Sequence, residues 1–150
     1  MEATFRSAAS SNVETLVKFM RGLYEHDHLP FDEPRARAGL EKILHDDAVG
    51  RVWMILDEGE AIGYAVLTFG FSLEFRGRDA FLDELYVAAS HRGRGVGRQT
   101  LKFLEEVCHS LGIQALHLEV ERANTRAQAV YRQAGFTDHD RYLMTKWISE

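Results

Sequence analysis

A short basic segment contains three glycines that alternate with other residues, and this pattern could bind phosphate. In order, the segment reads Arg92, Gly93, Arg94, Gly95, Val96, Gly97 and Arg98. It follows a predicted strand, Phe81–Val87, and opens into a predicted helix, Gly95–Leu111. Glycine lets a ligand approach backbone N–H groups closely, and a helix N-terminus adds unpaired N–H donors with a positive dipole end. The segment therefore indicates a phosphate or pyrophosphate site with arginines around it.

Two well-known phosphate loops do not fit this segment. A dinucleotide fingerprint needs G-x-G-x-x-G, but Arg98 stands where its third glycine would be required. A Walker loop needs Gly-Lys-Ser or Gly-Lys-Thr, which the segment lacks. The pattern that remains is Arg-x-x-Gly-x-Gly, at Arg92, Gly95 and Gly97.

Two acidic residues, Asp83 and Glu84, lie on the strand just before the loop. On a regular strand, successive side chains point to opposite faces. We therefore expect Asp83 to share a face with Leu85 and Val87, and Glu84 to share the other face with Leu82 and Tyr86. A carboxylate placed here could accept a proton from a reacting group.

The elements that must position these residues follow from hydrophobic periodicity and turn signals. The order is β-α-α-β-β-β-α-β-α-β, which predicts an α/β fold with a mixed, mostly antiparallel sheet flanked by helices. The first helix should begin at a capping box, Ser11 to Glu14, and the second near Pro34. The predicted strands are 4–8, 52–56, 61–71, 81–87, 115–120 and 142–148, and the other helices are 95–111 and 125–134.

Composition narrows the class of protein. The chain has 150 residues, 45% of them hydrophobic and 27% charged, so we expect one globular domain over residues 1–150. The net charge of −5 argues against a nucleic-acid binder. No apolar run approaches the ~20 residues that span a bilayer, and the N-terminus lacks a signal-peptide pattern. We therefore expect a cytoplasmic protein that binds neither membrane nor nucleic acid.

The cysteine and the histidines of the chain do not indicate a metal site or a nucleophile. Cys108 is the single cysteine, which excludes an internal disulfide and a multi-cysteine zinc site. It falls on the apolar face of its helix, and we interpret it as a core residue. We likewise interpret His117 as a packed histidine and His26-Asp27-His28 as an exposed polar loop, and we predict no metal.

A second block, Asn124 to Phe136, together with the glycine loop resembles the GCN5-related N-acetyltransferase superfamily. In that family the loop wraps the pyrophosphate of acetyl-CoA, and an Asn and a Tyr after the next strand flank the cofactor thiol. Asn124 and Tyr131 match those two positions, and Gly135-Phe136 matches the pair that ends the helix. The order of strands and helices matches over nearly the whole chain.

The resemblance implies acetyl transfer from acetyl-CoA to a primary amine, by direct attack in a ternary complex. Tyr131 would then give a proton to the departing thiolate, and Asp83 or Glu84 would take one from the amine. The Val87 backbone amide would stabilise the oxyanion. The implied cofactor contacts are Leu85, Tyr86, Val87, Arg92, Gly93, Arg94, Gly95, Val96, Gly97, Arg98 and Asn124.

Within the superfamily, the chain is similar to the spermidine/spermine (diamine) N-acetyltransferases. The similarity lies in Leu82–Val87 and in Tyr24-Glu25, so that Tyr24, Glu25 and Asp83 would contact the acceptor. It implies a small polyamine-like substrate. Small members of the superfamily are often homodimers, and the aromatic residues Tyr142 and Trp147 agree with a homodimer. An aminoglycoside, an amino acid or a protein N-terminus remain alternative acceptors. A non-catalytic acyl-CoA-binding module is the alternative outside enzymes.

Overall fold

A computed structural model describes residues 1–149 as five strands, four α-helices and two short 3-10 turns. The strands are β1 (Thr4–Ser7), β2 (Gly50–Asp57), β3 (Glu60–Ser72), β4 (Gly77–Val87) and β5 (Ala115–His117). The helices are α1 (Val13–His26), α2 (Glu33–Leu44), α3 (Val96–Ser110) and α4 (Thr125–Gln133). The 3-10 turns are Ser10–Asn12 and Ala89–His91.

The strands form one sheet in the order β1-β2-β3-β4-β5. The first three pairings are antiparallel, and β4 pairs with β5 in parallel. The predicted α/β class with a mixed, mostly antiparallel sheet is therefore confirmed. The chain divides into two compact units, residues 1–119 and the residues from Val120 onward, so the sheet and helices α1 to α3 belong to the first unit.

The two faces of the sheet are covered by different helices. On one face, α1 buries residues such as Leu16 and Met20 against Met54 and Tyr64 of the central strands, and α2 adds Leu40. On the other face, Val96 at the start of α3 packs in a cluster with Ile55 and Ile62. The apolar runs in β2 and β3 are continuous, and because successive side chains point to opposite faces, they supply both layers.

The start of α2 follows its predicted signal, whereas that of α1 does not. Asp32 precedes α2, and its side chain accepts a hydrogen bond from the Arg35 amide at 3.2 Å. The capping box predicted at Ser11 is wrong. Ser11 lies inside a 3-10 turn, and Asn12 instead binds the Ala9 amide at 2.9 Å, so the first α-helical residue is Val13.

The last predicted strand, 142–148, is absent from the described part of the chain. The strand predicted at 115–120 is also shorter and ends at His117. Alternating apolar residues form a strand only when a neighbour pairs their backbone groups. The sheet stops at β5, and the segment keeps its apolar side chains in solvent: Tyr142, Leu143, Met144, Trp147 and Ile148 are 75–91% exposed. No helix among residues 1–149 is long and apolar enough to cross a bilayer.

Candidate active site

Two glycines of the loop adopt backbone conformations that favour glycine. Gly93 and Gly95 have φ of 74° and 82°, in the left-handed region that favours glycine. Gly95 is the N-cap of α3, and this cap makes no side-chain hydrogen bond to the helix. The first-turn N–H groups of α3 therefore have no N-cap side chain in front of them, which suits a pyrophosphate at this helix end.

Two side chains next to the loop bind the end of β4 and the end of β2. Arg92 donates from Nε to the Val87 carbonyl at 2.8 Å, and its guanidinium lies 5.4 Å from the centre of the Tyr86 ring. His91 Nε2 lies 3.0 Å from Asp57 Oδ2, at the end of β2. These contacts fix the turn that leads into the loop. No local pattern in the sequence indicates the pair of His91 and Asp57, because only the fold brings them together.

The edge of β4 beyond β5 exposes backbone groups near the loop. Among the described residues, β5 pairs only with Asp79–Phe81, so the later part of β4 has no partner on that side. The Ala88 amide donates to the Ile62 carbonyl of β3 at 2.7 Å. Because backbone direction alternates along a strand, the N–H groups of Val87 and Leu85 point to the unpaired edge. In the part of the chain that the structure describes, the Val87 N–H thus has no strand partner.

A β-bulge at Asp83 interrupts the regular alternation of side chains along β4. Glu84 pairs with Val66 and Leu82 pairs with Leu67, so Asp83 has no partner on β3. Since Val66 and Leu67 point to opposite faces, Glu84 and Leu82 do as well. The expectation that Glu84 shares a face with Leu82 is therefore wrong, although Glu84 does share its face with Tyr86.

Two tyrosine hydroxyls hold the Glu84 carboxylate on the α1 face of the sheet. Tyr24, in the last turns of α1, donates to Oε2 at 2.6 Å, and Tyr64 of β3 donates to Oε1 at 2.7 Å. Burial raises the pKa of Glu84, and the two hydrogen bonds oppose that rise. Burial and the Glu84 charge raise the pKa of both tyrosines, so both remain neutral donors.

The Asp83 carboxylate belongs to the same electrostatic cluster. The residue reaches solvent, and partial burial of its carboxyl group raises the pKa of Asp83. Its charge raises the pKa of Glu84, Tyr24 and Tyr64. Asp83 lies at the bulge without a partner on β3, and its charge acts on Glu84 and on both tyrosines. Glu25 lies one residue after Tyr24 and is exposed.

The second unit carries the other two predicted site residues, Asn124 and Tyr131. Asn124 precedes α4, and its side-chain oxygen accepts from the Ala127 amide at 3.1 Å. Tyr131 lies on α4, and its ring centre is 6.1 Å from that of Phe136. The Phe136 amide donates to the Tyr131 carbonyl at 3.1 Å. Asn124 thus starts the helix that carries Tyr131.

The histidines and the cysteine that we interpreted as structural lie in different surroundings. His117 Nε2 lies 3.1 Å from Asp79 Oδ2, and its ring contacts Phe75 edge-on at 4.4 Å between centres. Cys108 is buried, and burial raises the pKa of its thiol to about 11. His26-Asp27-His28 is exposed, but His26 is the last residue of α1 and not part of a loop, and its Nδ1 lies 3.3 Å from Asp27 Oδ1. Within residues 1–149, no three His, Cys, Asp or Glu side chains are grouped for a metal.

Comparison with known proteins decides the family. A sequence model described as the Acetyltransferase (GNAT) family matches residues 17–136. The chain belongs to this family. The match includes the glycine loop, both carboxylates, Asn124 and Tyr131.

Individual relatives show how far the likeness extends. The chain is 34% identical over 77 residues to the thialysine N-epsilon-acetyltransferase of Bos taurus, a match covering 51% of this chain and 45% of that enzyme. The chain thus spans about half the length of the curated relatives it matches.

Two solved structures share the fold over almost the whole chain. One is an integron cassette protein from a salt-marsh metagenome, with a TM-score of 0.85 and 31% identity, over 97% of this chain and 91% of that one. The other is AAC(6')-Iy with the bisubstrate analog CoA-S-monomethyl-acetylneamine. Its TM-score is 0.80, and the match covers 99% of this chain and 100% of that one. Its 21% identity supports the fold alone.

Proposed function

We propose that this protein transfers the acetyl group of acetyl-CoA to a primary amine of a small molecule, by direct attack in a ternary complex. The observation that carries the proposal is the arrangement along β4. Two carboxylates, an unpaired strand edge and an anion-binding loop follow one another between Asp83 and Arg98. The thialysine acetyltransferase, whose named acceptor group is an amine, supports the same chemistry.

The carboxylates address the main chemical barrier, which is the charge on the amine. An alkyl amine with a pKa of ~10.4 lies about 3 units above neutral pH, so removing its proton costs about 4 kcal/mol. In our proposal Glu84 takes that proton, directly or through a water, because its carboxylate is held in a fixed orientation. Asp83, which reaches solvent, binds the acceptor charge together with Tyr24 and Glu25.

The backbone and α4 complete the proposed mechanism. The Val87 N–H points to the unpaired edge of β4 and would stabilise the oxyanion that forms when the amine attacks. The loop residues, with Leu85, Tyr86 and Asn124, hold acetyl-CoA. Tyr131 gives a proton to the departing thiolate. The roles of Tyr131 and Asn124 rest on the family motif.

We propose a small polycationic amine, such as a polyamine, as the acceptor class. The net charge of −5 attracts cations over short range, since salt screens charge beyond about 8 Å. Asp83, Glu84 and the exposed Glu25 supply negative charge around the proposed acceptor position. An aminoglycoside, an amino acid or a protein N-terminus is the alternative. We further propose that residues 1–150 act as one domain, in the cytoplasm, without metal or nucleic acid.

A thiol-release assay with acetyl-CoA tests the reaction and ranks the acceptors. The panel should contain spermidine, a diamine, a monoamine of equal length, thialysine, an aminoglycoside and an anionic amino acid. We expect turnover to be highest with the polycations. A clear preference for the anionic amino acid would remove the polyamine assignment. Acetyl-CoA binding without turnover on any amine would favour the non-catalytic module.

A further inference from the structure

Tyr64 is a core residue with an unusual side-chain partner. It lies on the central strand β3, its side chain is 0% exposed, and its ring packs beside Phe19 and Tyr86. A phenylalanine would fill the same space. The hydroxyl is desolvated, which is unfavourable without a hydrogen bond, and its partner is the Glu84 carboxylate at 2.7 Å.

Strand register places the two partners of this hydrogen bond next to each other. Tyr64 pairs directly with Tyr86, and Val66 pairs with Glu84, so Tyr64 and Glu84 are diagonal neighbours on one face. Tyr64 sits in the middle of the sheet, whereas Tyr24 donates from the last turns of a helix and is only half-buried. Of the two donors, Tyr64 is the one that the sheet itself fixes.

We propose that Tyr64 is a positioning residue for the reaction: its hydroxyl fixes the orientation of the Glu84 carboxylate. This inference rests on the proposed function, in which Glu84 takes the proton of the acceptor amine. Each carboxylate oxygen accepts one tyrosine hydrogen bond and retains a lone pair for the amine or a water. Tyr64 does not touch the acceptor and acts only through Glu84.

The loss of the Tyr64 hydroxyl should change the pH dependence of the reaction in one definite direction. Burial raises the pKa of Glu84, and the hydrogen bonds from Tyr24 and Tyr64 lower it. Y64F removes one lowering contribution and keeps the burial, so the pKa of Glu84 should rise. Because the base must be deprotonated, the acid limb of the pH profile of kcat/KM should move to higher pH. Loss of orientation should also lower kcat by about 10-fold, which is less than the ~10² to ~10⁴-fold that a whole general base contributes, because Glu84 itself remains.

The experiment compares Y64F with E84Q and with T100V as a matched control. Thr100 is also fully buried, and its hydroxyl bonds the Val96 carbonyl within α3 at 2.8 Å, away from the carboxylates. T100V therefore removes a buried hydroxyl without changing Glu84. Carbon-13 NMR titration of the glutamate carboxyls measures the pKa of Glu84 in the absence of any acceptor. The Glu84 signal is assigned by its loss in E84Q. The pH profile of kcat/KM for the best amine of the panel tests whether Tyr64 affects the reaction through Glu84.

We expect Y64F to raise the Glu84 pKa and shift the acid limb by the same amount, while T100V shifts neither. An unshifted acid limb in Y64F, with kcat unchanged, would overturn the proposal even if the NMR pKa moves. If E84Q keeps wild-type turnover, the proposed role of Glu84 itself fails, which is a separate result. Should Y64F not fold, site-specific 3-fluorotyrosine at position 64 keeps the shape and is a more acidic donor. It should move the acid limb to lower pH, and an unmoved limb would contradict the proposal.

Discussion

At the scale of single residues, the glycine loop offers two positions with different constraints. Gly95 has a left-handed φ of 82°, so any side chain there strains the backbone as well as covering the loop. Gly97 is the second residue of α3, and a Cβ added there meets nothing within 4 Å. Gly97 is therefore the position where a side chain tests ligand access without backbone strain.

We predict that G97L weakens acetyl-CoA binding at least 10-fold and leaves the fold intact, because its side chain covers the first-turn N–H groups. Leucine also has a higher helix propensity than glycine, so the free energy of unfolding should not fall. Calorimetric titration measures the affinity. G39L is the matched control, since Gly39 is an exposed position of α2 with equally open space. Equal affinity in G97L and G39L would place the pyrophosphate elsewhere.

The predicted acid, Tyr131, calls for a different variant. Y131F removes only the proton donated to the leaving thiolate, so we predict unchanged acetyl-CoA affinity and a kcat lowered by ~10² to ~10⁴-fold. Single-turnover kinetics with saturating amine would measure the chemical step. A wild-type rate in Y131F would remove Tyr131 from the chemistry.

At the scale of elements, α2 gives a direct test of how its sequence starts a helix. Asp32 accepts from the Arg35 amide and caps α2. We predict that D32A lowers the free energy of unfolding by about 1 kcal/mol, the usual cost of losing an N-cap. D32N keeps a capping oxygen and should stay close to wild type. Equilibrium urea unfolding measures both variants, and an equal loss in the two would assign the effect to charge.

The sequence predicts most elements because their signals are local. The hairpin of β2 and β3 follows from β-branched and aromatic residues around Gly59, and α3 follows from its apolar spacing and the flanking glycines. The missing strand at 142–148 shows the limit, since pairing depends on a partner strand that no local pattern reports.

The candidate site divides in the same way. The loop and the acidic pair were visible as motifs, and Tyr24 was identified through a family resemblance. The bulge at Asp83 depends on the register between two strands, so alternation assigned Leu82 to the wrong face. In the sequence, Tyr64 is indistinguishable from any other buried aromatic residue of a strand. Only the fold shows that its hydroxyl meets a carboxylate 20 residues away.

At the scale of the whole molecule, the exposed C-terminal segment supports the homodimer that the sequence led us to expect. Its five large apolar side chains, from Tyr142 to Ile148, are 75–91% exposed, and aromatic residues are enriched at interfaces. We predict a dimeric mass in solution scattering, and a shift toward monomer when Leu143, Met144 and Trp147 are replaced together by serine. A monomeric mass of the wild type across the concentration range would reject the dimer.

The central claim is that the protein moves an acetyl group from acetyl-CoA to an amine with the help of the Glu84 carboxylate. The most direct measurement uses acetyl-CoA labelled in the acetyl group and mass spectrometry of the amine product, with wild type and E84Q side by side. We predict labelled N-acetyl amine from the wild type and a rate at least 10²-fold lower from E84Q, in the range of general-base catalysis. Label that stays on acetyl-CoA or appears only as free acetate in the wild type would contradict the account.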